Sequence, residues 1–250
     1  MKTTGNTMLI TGGGSGLGRE WARAFHDLGN RVIIAGRRLD ALRETADGRT
    51  NMTCLTFDAT DPDSINDLAR KAVEVAPDLN VVFNNAGVML TEDLVSPQPG
   101  LTNALRMVET NLLGPMRLTA ALMSHLQGKS GATIINVSSG LAFVPLAITP
   151  TYSATKAAIH SWTVSLRWQL RDTGIEVIEV APPGVQTDLM PGQADNPHMM
   201  PLKDFIDETM ALFSRQPADP EVCVGRVGFL RHAEANGTFD ATLAALNASH

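Results

Sequence analysis

A glycine-rich turn follows directly on the first apolar run of the chain and constrains the fold more than any other feature. The run Thr7–Thr11 leads into Gly12-Gly13-Gly14-Ser15-Gly16-Leu17-Gly18, after which a helical pattern resumes. Glycine tolerates positive φ and has no Cβ to hold a pyrophosphate away from the backbone, while a helix amino terminus presents free N–H groups to an anion. Strand, turn and helix in this order favour a dinucleotide site, although a glycine cluster alone also fits a tight or flexible turn.

The spacing of the glycines distinguishes between two patterns of dinucleotide-binding turn. The G-x-G-x-x-G fingerprint does not fit the run in any register, whereas T-G-x-x-x-G-x-G fits it with Thr11, Gly12, Gly16 and Gly18. Ser15 and Leu17 lie inside the same turn, so the predicted phosphate-binding segment consists of Gly12, Ser15, Gly16, Leu17 and Gly18.

Short apolar runs alternate with longer stretches of helical periodicity along the chain. This pattern is typical of parallel strands joined by crossover helices, and it predicts the α/β class with a single Rossmann-type doubly wound parallel sheet and helices on both faces. The predicted strands are Thr7–Thr11, Arg31–Ala35, Met52–Phe57, Val81–Asn84, Thr133–Val137 and Glu176–Val180, with a short last strand in Glu221–Gly225. The predicted helices lie at about Gly16–Leu28, Leu39–Ala46, Asp63–Val75, Leu101–Leu126 and Thr151–Arg171, with a helical, polar ending over Arg226–Ala248.

No linker or repeat divides the chain, so we expect one dinucleotide-binding catalytic domain over residues 1–250. A breaker-rich and methionine-rich segment after Thr187 predicts a substrate lid at about residues 188–213. Its apolar side chains, among them Met190, Phe205 and Met210, suggest an adaptable pocket wall, although ordinary core packing explains them equally well.

Composition excludes several classes of partner. A formal charge of −6 and a pI near 5.5 provide no field for nucleic acid or an anionic membrane surface, and no run of about 18 apolar residues predicts a membrane span. Cys54 and Cys223 lack metal-ligand spacing, so we expect neither a disulfide framework nor a metal site. These features and the absence of a signal-peptide pattern favour the cytoplasm.

The end of the second predicted strand distinguishes between the two nicotinamide cofactors. An acidic residue there would accept hydrogen bonds from the adenosine ribose, but Gly36, Arg37 and Arg38 occupy the position. Two guanidinium groups suit a 2′-phosphate, which favours NADP(H) and leaves NAD(H) possible. Asp40 lies close by, and simple solvation of both arginines is the alternative interpretation.

Tyr152 and Lys156 are spaced to share one face of a predicted helix. A phenol with a pKa near 10 is a poor acid-base catalyst at neutral pH, and a neighbouring ammonium is expected to lower that pKa. Such pairs also arise by chance, but Tyr152 is the only tyrosine in the chain, and Ser138 and Ser139 end a strand upstream. These groups predict proton transfer to or from a substrate oxygen.

The ordered motifs resemble the classical short-chain dehydrogenase/reductase family over Thr7 through Thr187, and the two chain ends resemble its DltE-like bacterial subgroup. The motifs that carry the resemblance are Thr11-Gly12-x-x-x-Gly16-x-Gly18, Asp58, Asn84-Asn85-Ala86-Gly87, Asn111, Ser139, Tyr152-x-x-x-Lys156 and Pro183-Gly184-Val185-x-Thr187.

The resemblance implies a catalytic set of Ser139, Tyr152, Lys156 and Asn111, in which Ser139 bonds the substrate oxygen and Asn111 holds a proton-relay water. It also implies a set of cofactor contacts beyond the glycine turn: Asp58 and Ala59 at the adenine, Asn85, Ala86 and Gly87 along the cleft, Tyr152 and Lys156, and Pro183, Val185 and Thr187 at the nicotinamide end. Alternatives remain at two positions, since Asn85 could chiefly brace the central strands and Asp58 could simply start a turn.

The expected function is NADP(H)-dependent interconversion of a carbonyl and an alcohol by hydride transfer. A small hydrophobic ketone, aldehyde or secondary alcohol is the expected substrate. A dinucleotide-sensing regulator without turnover is the alternative, because a fold does not dictate a function. The usual family ending that packs across a tetramer axis is missing, so we expect a homodimer joined through the two longest helices.

Overall fold

Seven parallel strands form one sheet in the computed structural model, which describes residues 1–98, 100–215 and 219–248. Residues 99, 216–218 and 249–250 of the predicted domain lie outside the described residues. The strands are β1 Thr7–Thr11, β2 Arg31–Gly36, β3 Met52–Thr56, β4 Val81–Asn84, β5 Thr133–Val137, β6 Glu176–Val180 and β7 Glu221–Val222. Their order is β3-β2-β1-β4-β5-β6-β7, which confirms the predicted doubly wound sheet.

The strand order reverses between β1 and β4, and this reversal fixes the position of the cleft. Chain connections diverge to opposite sides there, so a crevice opens outside the carboxyl ends of the two strands. The glycine turn follows β1 and the Asn84-Asn85-Ala86-Gly87 segment follows β4, which brings both motifs to this crevice.

Helices cover both faces of the sheet. The long elements are α1 Gly16–Asp27, α2 Leu39–Ala46, α3 Pro62–Val75, α4 Thr102–Val108, α5 Gly114–Leu126, α6 Pro150–Leu170 and α7 Leu202–Phe213. One core joins α1, α2 and α7 to the sheet through Trp21, Phe25, Phe83, Phe205 and Phe213, whereas the opposite core is filled from α3, α5 and α6. Burial on both faces explains why the central strands read as continuous apolar runs.

The helix predicted over Leu101–Leu126 is interrupted by a π-helical turn at Glu109–Leu113. Pro115 explains the interruption, since it has no N–H to donate to the carbonyl of Asn111 in a regular α-helix. Gly114 also packs closely against the loop after β3, where an added Cβ would lie 2.9 Å from the carbonyl oxygen of Ala59. Asn111 lies inside this turn, and its side chain bonds Val88 in the segment after β4.

The ending predicted as helical contains two short helices, α8 Gly228–Arg231 and α9 Phe239–Asn247. Asn247 of α9 accepts a hydrogen bond from the backbone N–H of Ala147 at 2.6 Å and donates one to the carbonyl of Pro145 at 3.2 Å. The carboxyl-terminal helix is thereby fastened over the loop that precedes α6. Among the described residues, no helix combines the length and the apolar character that crossing a bilayer requires.

Candidate active site

A cleft of about 440 Å³ runs along the carboxyl ends of the strands. Its walls contain every residue of the predicted site except Gly16 and Asn111. Ser15 caps α1 without a side-chain hydrogen bond to the helix, so the first N–H groups of α1 stay available to an anion.

Two glycines in the turn have no room for a side chain. Gly12 has a φ of +70°, and an added Cβ would lie 2.8 Å from the side-chain nitrogen of Asn85 and 2.9 Å from the Cα of Ala86. At Gly18 an added Cβ would overlap the Asn85 amide and the Gly12 carbonyl. The absence of Cβ atoms therefore permits α1 to pack closely on the β1 turn.

Thr11 and Asn85 hold the glycine turn against β4. The Thr11 hydroxyl accepts hydrogen bonds from the backbone N–H groups of Asn85 and Ala86, each at 3.0 Å. The side chain of Asn85 donates to the carbonyl of Thr11 at 2.9 Å. Asn85 therefore braces the central strands, as the alternative interpretation expected, and it also lines the cleft.

Positive charge collects at the end of the cleft beside β2. Arg37 and Arg38 line this end, and Arg106 of α4 also lines the cleft. Asp58 also lies there, where a hydrogen bond from the Thr60 backbone lowers its pKa, with smaller contributions from Arg37 and Arg106. A 2′-phosphate could contact guanidinium groups from two walls of the cleft.

Tyr152, Lys156 and Ser139 meet at the other end of the cleft. Tyr152 and Lys156 lie in the first turns of α6, both buried, with the lysine nitrogen 5.6 Å from the centre of the phenol ring. Ser139 follows β5, and its hydroxyl accepts a hydrogen bond from the Leu141 N–H at 3.1 Å. The end of β5 and the start of α6 thus bring the hydroxyl groups of Ser139 and Tyr152 together with the amino group of Lys156.

The protonation of this pair differs from the sequence expectation. Burial raises the pKa of Tyr152 to about 12, and a hydrogen bond with Ser139 only partly opposes that effect. Burial also lowers the pKa of Lys156 to about 8. The prediction that Lys156 lowers the phenol pKa is therefore wrong, because Lys156 donates to the carbonyl of Val137 at 2.8 Å and desolvation is the larger effect.

Asn111 fastens the segment after β4 to α6. Its side-chain oxygen accepts from the Val88 N–H at 2.8 Å, while its nitrogen donates to the Val88 carbonyl at 2.9 Å and the Thr155 hydroxyl at 3.3 Å. An added Cβ on Gly87 would lie 3.4 Å from this oxygen and 3.8 Å from the Lys156 nitrogen. Asn111 and Lys156 are therefore near neighbours on either side of Gly87, and Lys156 is the one that lines the cleft.

The loop after β6 closes the third side of the cleft. Val185 and Thr187 line it together with Pro183, and Leu189 and Gln193 enter from the predicted lid. The side-chain nitrogen of Gln193 donates to the Val185 carbonyl at 2.7 Å and to the Thr187 hydroxyl at 3.2 Å. By contrast, Phe205 of the predicted lid segment is fully buried in the core, and Met210 packs against that core.

Sequence reasoning missed three polar residues of this region: Arg106, Gln193 and Glu179. Arg106 and Gln193 carry no sequence signal, because a helix arginine and a loop glutamine are ordinarily solvated. Glu179 did carry one, since it is a charged residue inside the apolar strand β6 and is fully buried there. A buried charged residue requires a partner, and His160 is the partner of Glu179 in the structure.

Comparisons with known proteins agree with this geometry. A family profile described as short chain dehydrogenase matches residues 6–197. An uncharacterized oxidoreductase of Bacillus subtilis (strain 168), DltE, is 44% identical over 189 residues, which cover 76% of this chain and 75% of that protein. A short chain dehydrogenase from Burkholderia cenocepacia J2315, solved in complex with NADP, is 25% identical with a TM-score of 0.83 over 97% of this chain and 99% of that one.

A third solved structure is similar in fold. It is a 3-ketoacyl-(acyl-carrier-protein) reductase from Brucella melitensis, complexed with NADH, at 24% identity and a TM-score of 0.78. The match covers 90% of this chain and 100% of that chain.

Proposed function

This chain belongs to the short-chain dehydrogenase family and is an oxidoreductase, and we propose that it interconverts a carbonyl and an alcohol with NADP(H) as cofactor. The observation that carries the proposal is the convergence of Ser139, Tyr152 and Lys156 at the end of a cleft that begins with a glycine turn. A cofactor-binding regulator would need the glycines and the arginines but not this buried acid-base group.

The residues present fit a dinucleotide. The amino terminus of α1 offers unpaired N–H groups for a pyrophosphate, and the arginine end of the cleft suits an adenosine 2′-phosphate. Asp58 and Ala59 would flank the adenine, and Val185 and Thr187 would hold the carboxamide of the nicotinamide ring. The cofactor supplies or accepts the hydride when it is bound.

The chain's own residues supply proton transfer and orientation. Ser139 donates a hydrogen bond to the carbonyl oxygen of the substrate, and the Tyr152 hydroxyl donates its proton to that oxygen as negative charge develops there. Lys156 then stabilises the phenolate that remains. Asn111 holds Val88 and Thr155 in place, so the wall behind Lys156 keeps its geometry.

NADP(H) is preferred in this proposal because positive charge surrounds the ribose end of the cleft. Arg37 and Arg38 stand where an acidic residue would select NAD(H), and Arg106 adds a third cation. The Burkholderia relative was solved with NADP and the Brucella reductase with NADH, so cofactor choice varies among proteins of this fold. The local charges of this chain carry the inference.

The proposed substrate is small and hydrophobic. Tyr152 packs in an apolar cluster with Met89, Met107 and Leu146, and the flexible side chain of Met190 from the loop joins it. Such a wall suits a ketone, an aldehyde or a secondary alcohol with apolar substituents. The loop over residues 188–200 would act as the lid.

We also propose a homodimer. Val164 and Trp168 lie one turn apart on α6 with 46% and 70% of their surfaces exposed. Leu101, which precedes α4, and Leu105, which lies within it, are exposed to similar extents. Large apolar side chains grouped on the outside of long helices indicate a partner surface. A second copy of this chain is the proposed partner, as the helix lengths predicted.

A carbonyl panel tests the proposed activity. NADPH consumption is followed by absorbance with 4-nitrobenzaldehyde, phenanthrenequinone and aliphatic ketones as acceptors. We expect turnover with at least one acceptor, and roughly a 10²–10⁴-fold loss in the Tyr152→Phe variant, which lacks the proton donor but retains the ring. NADPH binding without turnover by the wild type, or equal turnover by the variant, would favour the dinucleotide-sensing regulator.

A further inference from the structure

A row of four polar side chains crosses the sheet beneath α6, one from each of four adjacent strands. Asn84 of β4 pairs in register with Asn136 of β5, Asn136 with Glu179 of β6, and Glu179 with Glu221 of β7. Residues in register on parallel strands point to the same face. The first three are buried and Glu221 is half-buried, so the row is internal structure and not a solvated surface.

The two asparagines bond to each other and to the overlying helices. The side-chain nitrogen of Asn84 donates to the Asn136 oxygen at 2.8 Å, and the nitrogen of Asn136 donates to the Thr163 hydroxyl at 2.9 Å. Glu179 continues the row with a carboxyl group that has no exposed surface. Burying a carboxylate is unfavourable unless positive groups surround it, so its neighbours indicate its role.

One neighbour is His160, which lies one helical turn after Lys156 on α6. The Nδ1 atom of His160 is 2.8 Å and 3.0 Å from the two carboxylate oxygens of Glu179. Because residues one turn apart share a helix face, Lys156 faces the same part of the sheet as His160.

The other neighbour is Lys156 itself. Its ammonium group bonds the carbonyl of Val137, the residue after Asn136 on the strand beside β6. Asn136 is the cross-strand partner of Glu179, so the Lys156 ammonium bonds a backbone group one residue from the partner of Glu179, on the strand directly beside β6. The charge of Glu179 opposes the lowering of the Lys156 pKa that burial causes.

We propose that Glu179 is a positioning residue of the active site, whose buried carboxylate keeps Lys156 in its ammonium form beside Tyr152 at neutral pH. This role deepens the proposed function, in which Lys156 stabilises the Tyr152 phenolate. Glu179 itself is separated from the cleft by the helix and the strand, and it does not line the cleft. It acts only through the lysine.

Several charged groups share this environment and define the controls. Glu221 forms a two-bond ion pair with Arg231 of α8, at 2.6 Å and 3.1 Å, which balances its charge locally. Arg167 of α6 bonds the backbone carbonyl of Val177, and Cys223 after β7 has its pKa raised to about 12, chiefly by burial, so its thiol stays neutral. Of the two acids in this row, Glu221 is therefore paired with α8, and Glu179 is the one that interacts with side chains of α6.

A direct titration of Lys156 tests the proposal without cofactor or substrate. The chain contains five lysines, at positions 2, 71, 129, 156 and 203, so lysine labelled with 13C at the ε carbon gives few NMR signals. The Lys156→Met variant identifies the signal of interest. In Glu179→Gln we expect the midpoint of Lys156 to fall by about one pH unit, since a nearby opposite charge shifts a pKa by roughly 1–3 units.

Glu221→Gln is the matched control, because it removes a carboxylate from the same row but one strand farther from Lys156. We expect its shift to be less than half of that in Glu179→Gln. An unchanged or raised Lys156 midpoint in Glu179→Gln overturns the proposal, and so does an equal shift in the two variants. If Glu179→Gln does not fold, Glu179→Asp is measured instead; it keeps a carboxylate but withdraws it by one methylene from α6, so the Lys156 midpoint should fall by less than one pH unit, and an unchanged or raised midpoint overturns the proposal.

A kinetic measurement distinguishes a positioning role from a merely structural one. In Glu179→Gln the alkaline decline of kcat/KM for carbonyl reduction should move to lower pH in step with the NMR midpoint, while a general loss of structure lowers the rate equally at every pH. If no carbonyl is reduced at all but the Lys156 midpoint shifts, the proposed function fails and the role of Glu179 stands.

Discussion

Replacing Gln193 by alanine should strengthen cofactor binding. The primary amide of Gln193 bonds the Val185 carbonyl at 2.7 Å and the Thr187 hydroxyl at 3.2 Å, the same groups that the carboxamide of nicotinamide would use in the proposed function. The carboxamide of nicotinamide must therefore replace the Gln193 amide at the Val185 carbonyl and the Thr187 hydroxyl. The alanine variant leaves the carbonyl and the hydroxyl free for the incoming ligand.

The expected gain in binding free energy follows from the two hydrogen bonds that Gln193 forms. An intramolecular hydrogen bond contributes about 0.5–1.5 kcal/mol net, and the longer contact is the weaker one, so we expect a gain of about 1–2 kcal/mol in binding free energy. At about 1.4 kcal/mol for each tenfold change, the Kd for NADPH should fall roughly five- to thirtyfold.

Nicotinamide fluorescence measures this Kd, and two controls isolate the cause. The ligand 2′-phospho-ADP-ribose has no nicotinamide, so both proteins should bind it equally. Gln186→Ala removes another glutamine of the same loop, which bonds the Asn196 carbonyl at 3.1 Å and does not contact Val185 through its side chain. If Gln193→Ala binds NADPH no more tightly than Gln186→Ala does, the displacement argument is wrong.

Three further predictions concern other parts of the molecule. Combined replacement of Arg37 and Arg38 by alanine should raise the KM for NADPH by roughly tenfold or more, because charge-assisted bonds to the 2′-phosphate are lost, and should leave the KM for NADH nearly unchanged; equal effects on the two cofactors would contradict the assignment. Carbonyl reduction should decline as the pH rises through about 8, because the depressed pKa of Lys156 makes the ammonium present below that value and absent above it; a pH-rate profile that stays flat to the alkaline side would refute this assignment. Trp168→Glu should convert the proposed dimer to a monomer in light scattering while the circular dichroism stays unchanged, because the charge falls on an exposed apolar face of α6; a monomeric wild type would contradict the interface.

The fold was predictable from periodicity because five of the strands, β1, β2, β4, β5 and β6, are buried over most of their length. The six main strand predictions agree with the observed strands to within a residue at the ends, and Glu221–Val222 forms the short last strand inside the predicted run. Hydrophobic periodicity could not predict the π-helical turn, because its cause is the missing N–H of Pro115 and not the pattern of apolar residues. Phe205 illustrates a second limit: its apolar character was clear, but only the packing of α7 on α1 shows that it lies in the core.

The site was predictable where a residue type has one dominant use, as at the glycines and at the tyrosine and lysine pair. It was not predictable where ordinary residues acquire a role from their surroundings. Gln193 becomes important only because the loop folds back on Val185, and Arg106 only because α4 borders the adenosine end of the cleft. The pKa values of Tyr152 and Lys156 depend on burial, which spacing along a helix does not reveal.

The pKa shifts of Tyr152 and Lys156 affect the two directions of the proposed reaction differently. With the pKa of Tyr152 raised to about 12, the phenol carries its proton throughout the neutral range, so it can donate to a carbonyl oxygen as soon as substrate arrives. Oxidation of an alcohol requires the phenolate instead, which a neutral lysine would not stabilise. Lys156 lies close to its own titration point, and the carboxylate of Glu179 favours its charged form. In the role proposed for Glu179, the buried acid behind the helix therefore favours the state in which the same tyrosine can also act as a base.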